Sequence, residues 1–272
     1  IIIGSGAAVI IQGDGQQGTD GKVAGNITAY AGTALTVENC TVEGQLTAHG
    51  SSTVTDSLVT STKSPAFTVN NQNAAVKLSG SLFLFTGTPS GSGVASAVKF
   101  GAADTVKMEG CTVQGPREGI YFSGAVREAV IDGCAIQGAN KEGISFYGLE
   151  AGNTVTVTNS LVSSEEGNAV SASWNMDKTA VIALGEGNTV SGRISLPGNT
   201  DEDYRYQFQV TGGQFDHSGE EDLFYNPNQA GGHTELMNRL FITGGRFKKD
   251  VSLFLKPEYA CIKGQDDEAY PY

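Results

Sequence analysis

A six-residue pattern recurs along this chain: apolar, any, a small turn-former, Cys or Ser, any, apolar. It reads VENCTV at Val37–Val42, VTDSLV at Val54–Val59 and LSGSLF at Leu78–Phe83. It returns as MEGCTV at Met108–Val113, IDGCAI at Ile131–Ile136 and VTNSLV at Val157–Val162. The fourth position falls at Cys40, Ser57, Ser81, Cys111, Cys134 and Ser160, at intervals of 17, 24, 30, 23 and 26 residues. Weaker echoes follow as GEGNTV, VTGGQF and ITGGRF, beginning at Gly185, Val210 and Ile242. A repeat of this length constrains a chain more than any local signal, because each copy must bury its apolar residues against its neighbours.

A second pattern lies between copies of the first: small, apolar, polar, apolar. Its members begin at Ala66, Ala97, Gly119, Gly143 and Ala169, with looser ones at Gln45 and Arg193. Such alternation marks a strand with one buried face. The two patterns keep a fixed order coil after coil, with Phe67, Val98, Ile120, Ile144 and Val170 as the expected inward column. The third position of the first pattern is Asn39, Asp56, Gly80, Gly110, Gly133 or Asn159. These residue types tolerate unusual backbone angles or hydrogen-bond their own main chain.

The reading is an all-β fold, a single-stranded right-handed parallel β-helix of about eight to ten coils, with a short C-terminal helical cap. Loops vary in length while the stacked strands keep register. The intervals are too irregular for leucine-rich, hexapeptide or calcium-binding nonapeptide repeats. A β-sandwich would show no ladder of matching residue types. The expected division is a β-helix over 1–247 and a capping segment and tail over 248–272. In that segment Asp250 is placed to N-cap a helix from Val251 to Leu255, which Pro257 ends.

Over roughly Leu35 to Leu196 the strands and turns resemble the repeat of the pectate-lyase-like superfamily. The tail ITGGRFKKDVSLFLKPEYACIKG, from Ile242 to Gly264, resembles a module of secreted surface proteins of gut Firmicutes, although Glu258-Tyr259 stands where that module has Gly-Tyr. The two resemblances imply a protein outside the cell or attached to its surface. The first resemblance also implies a groove over one parallel sheet, where catalytic relatives hold clustered carboxylates, calcium or a basic residue against a polysaccharide.

Composition agrees with many short strands and tight turns: 37 Gly, only 7 Pro and 17% charged residues. Runs of helix-forming residues are nearly absent. With 29 acidic against 17 basic residues the net charge is −12, which excludes the basic footprint that nucleic acid demands. No stretch reaches the ~20 apolar residues of a membrane span. Acidic runs at Asp201-Glu202-Asp203, Glu220-Glu221-Asp222 and Asp266-Asp267-Glu268 read as solvated loops. Calcium is the one cofactor they would admit, and none has EF-hand spacing. Cys40, Cys111 and Cys134 share a ladder position with serines and read as small buried residues, reduced rather than bridged. No spacing suggests zinc. His49, His217 and His233 lie in polar loops with no nucleophile elbow nearby.

The outward column of the second pattern runs Thr47, Thr68, Lys99, Tyr121, Ser145, Ser171 and Ser195. It contains no carboxylate, and hydrolysis of a glycosidic bond generally needs two. Loop residues at Arg117-Glu118, Glu150 and Glu165-Glu166 are the remaining source. The expected function is therefore a non-enzymatic adhesin-like or structural module, monomeric, that binds a glycan or a host or cell-surface protein. Its candidate binding residues are Tyr121, Tyr147, Trp174 and Lys99; no catalytic residue and no metal ligand is assigned. The alternatives are a polysaccharide lyase or glycoside hydrolase and a passive spacer.

Overall fold

The computed structural model describes residues 1–13, 21–63, 65–88, 95–174, 176–198, 201, 203, 206–217, 219–228, 232–263 and 270–272, and the side chains of 232–234 lie outside the description. Glu202 and the run Asp266-Asp267-Glu268 therefore fall outside the described residues. The chain winds through three parallel walls. The first wall stacks Ile27–Ala29, Leu46–Ala48, Phe67–Asn70 and the start of Val98–Glu109. Ile120–Phe122, Glu142–Phe146, the end of Leu161–Ala172, the end of Thr189–Ser195 and Phe224–Tyr225 continue it. The second wall is built from strands such as Ala34–Glu38, Ser51–Thr55, Ala75–Ser79, Val126–Asp132 and Thr154–Thr158. The third follows each corner, as in Thr41–Glu43, Leu58–Ser61, Leu82–Phe85, Thr112–Gly115 and Ala135–Gly138. All these pairings are parallel, so the molecule is a β-solenoid.

The inward column is the one the sequence indicates. Phe67, Val98, Ile120, Ile144 and Val170 are register partners in succession, and each is fully buried. Two residues further along the same strands, Phe100, Phe122 and Phe146 stack with ring centroids 5.1 and 5.0 Å apart. Offset stacking of this kind adds to the area each ring buries.

The corner between the second and third walls has a repeating construction. Asn39, Asp56, Gly80, Gly110, Gly133 and Asn159 all have positive φ, between 46° and 61°. That left-handed residue reverses the chain so that the next side chain turns inward. There the serine hydroxyls of Ser57, Ser81 and Ser160 donate to the carbonyl two residues back, at 2.7, 2.8 and 2.7 Å. The same oxygens accept from the coil before: Cys40 N–H donates to Ser57 Oγ at 3.1 Å and Ser57 N–H to Ser81 Oγ at 3.1 Å. Cys134 N–H donates to Ser160 Oγ at 3.0 Å, and Ser160 N–H to the Asn188 side-chain oxygen at 3.0 Å. The cysteines fit the same slot, each thiol directed at the carbonyl two residues back. Cys40, Cys111 and Cys134 are buried and free. Mutual hydrogen bonding with Cys111, then burial, raises the Cys134 thiol far above its usual range.

Three expectations need correction. Ser195 holds its register opposite Ser171 but is buried, because Tyr225 of the following coil leans back across it to bond Asn168, two coils below. The helix expected over Val251–Leu255 is a single 3₁₀ turn, Ser252–Phe254; Asp250 Oδ1 accepts the Ser252 N–H at 2.8 Å, one residue further back than an N-cap. An α-helix, Gly232–Arg239, lies before the expected capping segment, in a stretch that the repeat assigns to the β-helix. Its Arg239 is fully buried and donates to Pro197 O at 2.8 Å and, from Nε, to Glu235 O at 3.1 Å. At this end Phe254 meets Phe224 at 5.7 Å, and Tyr272 N–H donates to Phe247 O at 3.1 Å.

Candidate ligand-binding face

The outward column of the first wall runs in register through Thr28, Thr47, Thr68, Lys99, Tyr121, Ser145, Ser171 and Ser195 to Tyr225. Strand geometry dictates this, since alternate side chains of each first-wall strand must leave the core. Ser145 and Ser171 form a low, hydroxyl-bearing floor between two taller rungs. Below it stands Tyr121, half-buried, with Lys99 one coil further down. Above it stands Tyr225, whose ring carries the Arg193 guanidinium 3.7 Å from its centroid. Arg193 also pairs with Glu221 and donates to Asp222 O at 3.1 Å, so one acidic run braces this rung.

The floor has different flanks. On the side toward the second wall, Tyr147 and Trp174 follow their strands, 57% and 54% exposed. The Tyr121 and Tyr147 rings lie 6.1 Å apart at 34°. On the side toward the third wall stand Glu142 and Asn168, register partners, with Tyr225 Oη donating to Asn168 Oδ1 at 3.0 Å. Glu118 comes to the same corner one coil below Glu142; it is 4% exposed and accepts the Ala95 N–H at 3.1 Å. Burial first, then repulsion from Glu118, raises the Glu142 carboxyl above the ordinary range. Burial also pushes the Tyr121 hydroxyl up to about 12, helped by Tyr147, Glu118 and Glu142.

Three of the four sequence candidates, Tyr121, Tyr147 and Trp174, therefore border one surface over successive coils, and Lys99 adjoins it. His49 is elsewhere, stacked on Tyr30 at 6.4 Å, and His217 contacts the backbone of Glu221. Glu165 accepts from Gln137 on the third wall at 2.8 Å, away from the floor. Glu142 was missed. Its signal is the repeated basic-Glu-Gly-Ile run, Arg117-Glu118-Gly119-Ile120 and Lys141-Glu142-Gly143-Ile144, which stacks two carboxylates at one corner. Among the described residues no group of three or more His, Cys, Asp or Glu side chains could hold a metal ion.

Residues 8–184 match the family model described as the right handed beta helix region. The chain belongs to that family. Right-handed β-helix coils thus account for the floor and for Tyr121, Tyr147 and Trp174, all within the matched span. The match ends before the tail from Ile242 to Gly264, so the likeness of that tail to surface proteins of gut Firmicutes gains no support from it. A search of curated proteins finds no match for this β-helix.

Proposed function

We propose that this right-handed β-helix is a non-enzymatic, adhesin-like module, outside the cell or on its surface, that holds a glycan against its first wall. The observation that carries this reading is the hydroxyl floor of Ser145 and Ser171 bordered by Tyr121, Tyr147 and Trp174. Sugars present apolar faces to aromatic rings and hydroxyls to polar side chains, and this surface offers both. The face is broad rather than enclosed, which favours weak binding of an extended chain over tight capture of a small molecule. A host or cell-surface protein is the other ligand such a face would accept, through the same exposed aromatics. A glycan array followed by titration calorimetry tests the proposal. Trp174→Ala should weaken binding several-fold with no change in thermal midpoint; a set of glycans bound equally by wild type and Trp174→Ala would refute it.

One observation favours a polysaccharide lyase or hydrolase instead. Glu142 is a carboxyl with a raised pKa at the border of the floor, with a second carboxyl stacked beneath it, and such groups are suited to proton transfer. Release of reducing or unsaturated sugars by wild type, abolished in Glu142→Gln, would establish that reading over the first.

A further inference from the structure

A second concavity lies away from the first wall, at the corner between the second and third walls in the last coils. It is an open recess of about 480 Å³ lined by Glu186, Asn188, Thr189, Thr211, Gln214 and Arg246, with four glycines among them. The corner itself changes in these coils. Up to Gly187 the left-handed residue is third in each repeat, and the next side chain turns in to plug the bend. In the last two coils positive φ moves one residue on, to Gly213 at 97° and Gly245 at 126°. The pairing register slips there, between Val210 and Gln214. The fourth position itself has become glycine, so the inward ladder stops at Asn188, and the room a side chain would need there is taken by Asn188 at Gly213 and by the Phe215 and Phe247 rings at Gly245.

The side chains around this opening come from both walls. Thr189, Gln214 and Arg246 are successive register partners on the third wall. Glu186 and Thr211 come from the second-wall side of the bend. Asn188 is committed to the ladder, where its amide donates to Val157 O and Gly185 O at 2.7 and 2.9 Å. The lining also carries a carboxylate acceptor, a guanidinium, an amide that both donates and accepts, the Thr189 hydroxyl, which does both, and the Thr211 hydroxyl, which donates to Leu184 O at 3.4 Å and keeps its acceptor capacity. A carboxylate and a guanidinium on one cleft favour neither an anion nor a cation. The volume falls within the roughly 300–1,000 Å³ of small-molecule sites.

We propose that this corner cleft is a second binding site, distinct from the first wall, for a neutral hydroxyl-rich ligand: one or two hexose units of a glycan. Alternating donors and acceptors match vicinal hydroxyls, and an uncharged ligand leaves neither Glu186 nor Arg246 facing a like charge.

Saturation-transfer NMR with neutral trisaccharides of glucose, galactose and mannose, and with trigalacturonate as the acidic probe, tests this on the intact chain. At least one neutral trisaccharide should bind saturably. Gln214→Ala and Glu186→Ala should each weaken it by about three- to tenfold, the effect of one lost hydrogen bond. Both changes are outside the core, and thermal melts check that each variant folds. Trp174→Ala should leave this binding unchanged, which separates it from the first-wall site. Three results would overturn the proposal: no saturable binding of a neutral trisaccharide, binding lost in Trp174→Ala but kept in the two cleft variants, or tighter binding of trigalacturonate that Glu186→Ala improves.

Discussion

Ile144→Ala tests the inward column most directly. Ile144 is fully buried between Ile120 and Val170, its register partners one coil either side. Truncation to alanine removes three carbons; at about 0.8 kcal/mol per buried methylene the transfer loss alone is roughly 2.4 kcal/mol. The cavity adds to this, because hydrogen-bonded walls cannot close around it and the rungs above and below are held at ladder spacing. The total should lie in the upper part of the ~2–5 kcal/mol seen for such truncations, about 3–4 kcal/mol. Equilibrium urea unfolding measures it as a lower midpoint at unchanged slope. A changed slope would instead mean that the stacked coils no longer unfold together, as solenoids can. Ser145→Ala, one residue away on the outward face, should move the midpoint by no more than ~0.5 kcal/mol. A loss below about 1 kcal/mol at Ile144 would refute the packing argument.

Three further outcomes follow from the same structure. Ser57→Ala should cost about 1–3 kcal/mol in the same unfolding assay, because it strands the buried Cys40 N–H, whereas Ser57→Cys should recover much of this. Glu142 has a folded pKa raised by burial and by Glu118, so the folded state holds its proton more tightly than the unfolded chain does. Its stability penalty is absent below the unfolded carboxyl pKa and grows as pH rises through the folded value. Glu142→Gln should therefore raise the thermal midpoint at pH 7 and change it little near pH 4, and melts across that range show whether it does. Cys40, Cys111 and Cys134 should resist alkylation in the native protein and react in urea, with the partly exposed Cys261 reacting first; mass spectrometry showing a native Cys111–Cys134 bridge would contradict the free-thiol ladder.

Much of this architecture is legible in the sequence because a solenoid repeats its local rules. Asn39, Asp56, Gly80, Gly110, Gly133 and Asn159 are recognisable as turn residues, and all six adopt the left-handed conformation. The pairing of Phe67, Val98, Ile120, Ile144 and Val170 follows from aligning the second pattern with itself. What escaped depends on contacts between coils that differ. Ser195 follows the outward alternation, yet Tyr225 of the following coil leans across it. The helix Gly232–Arg239 is short and polar, and its anchor is an arginine whose buried guanidinium reads in sequence as a surface charge. Glu142 lies one residue outside the aligned pattern, so attention to the column alone passes over it.

The polar ladder at the corner has a consequence for how one arrangement is selected during folding. Hydrophobic alternation cannot distinguish a strand in place from the same strand slipped by two residues, since both keep the same faces inward. The serine and cysteine ladder can. A two-residue slip leaves the buried Cys40, Ser57, Cys134 and Ser160 amides without their side-chain acceptors. The ladder thus acts as a set of teeth that lets each new coil engage at a single phase. Loops of very different length can then hang from the walls without disturbing the winding.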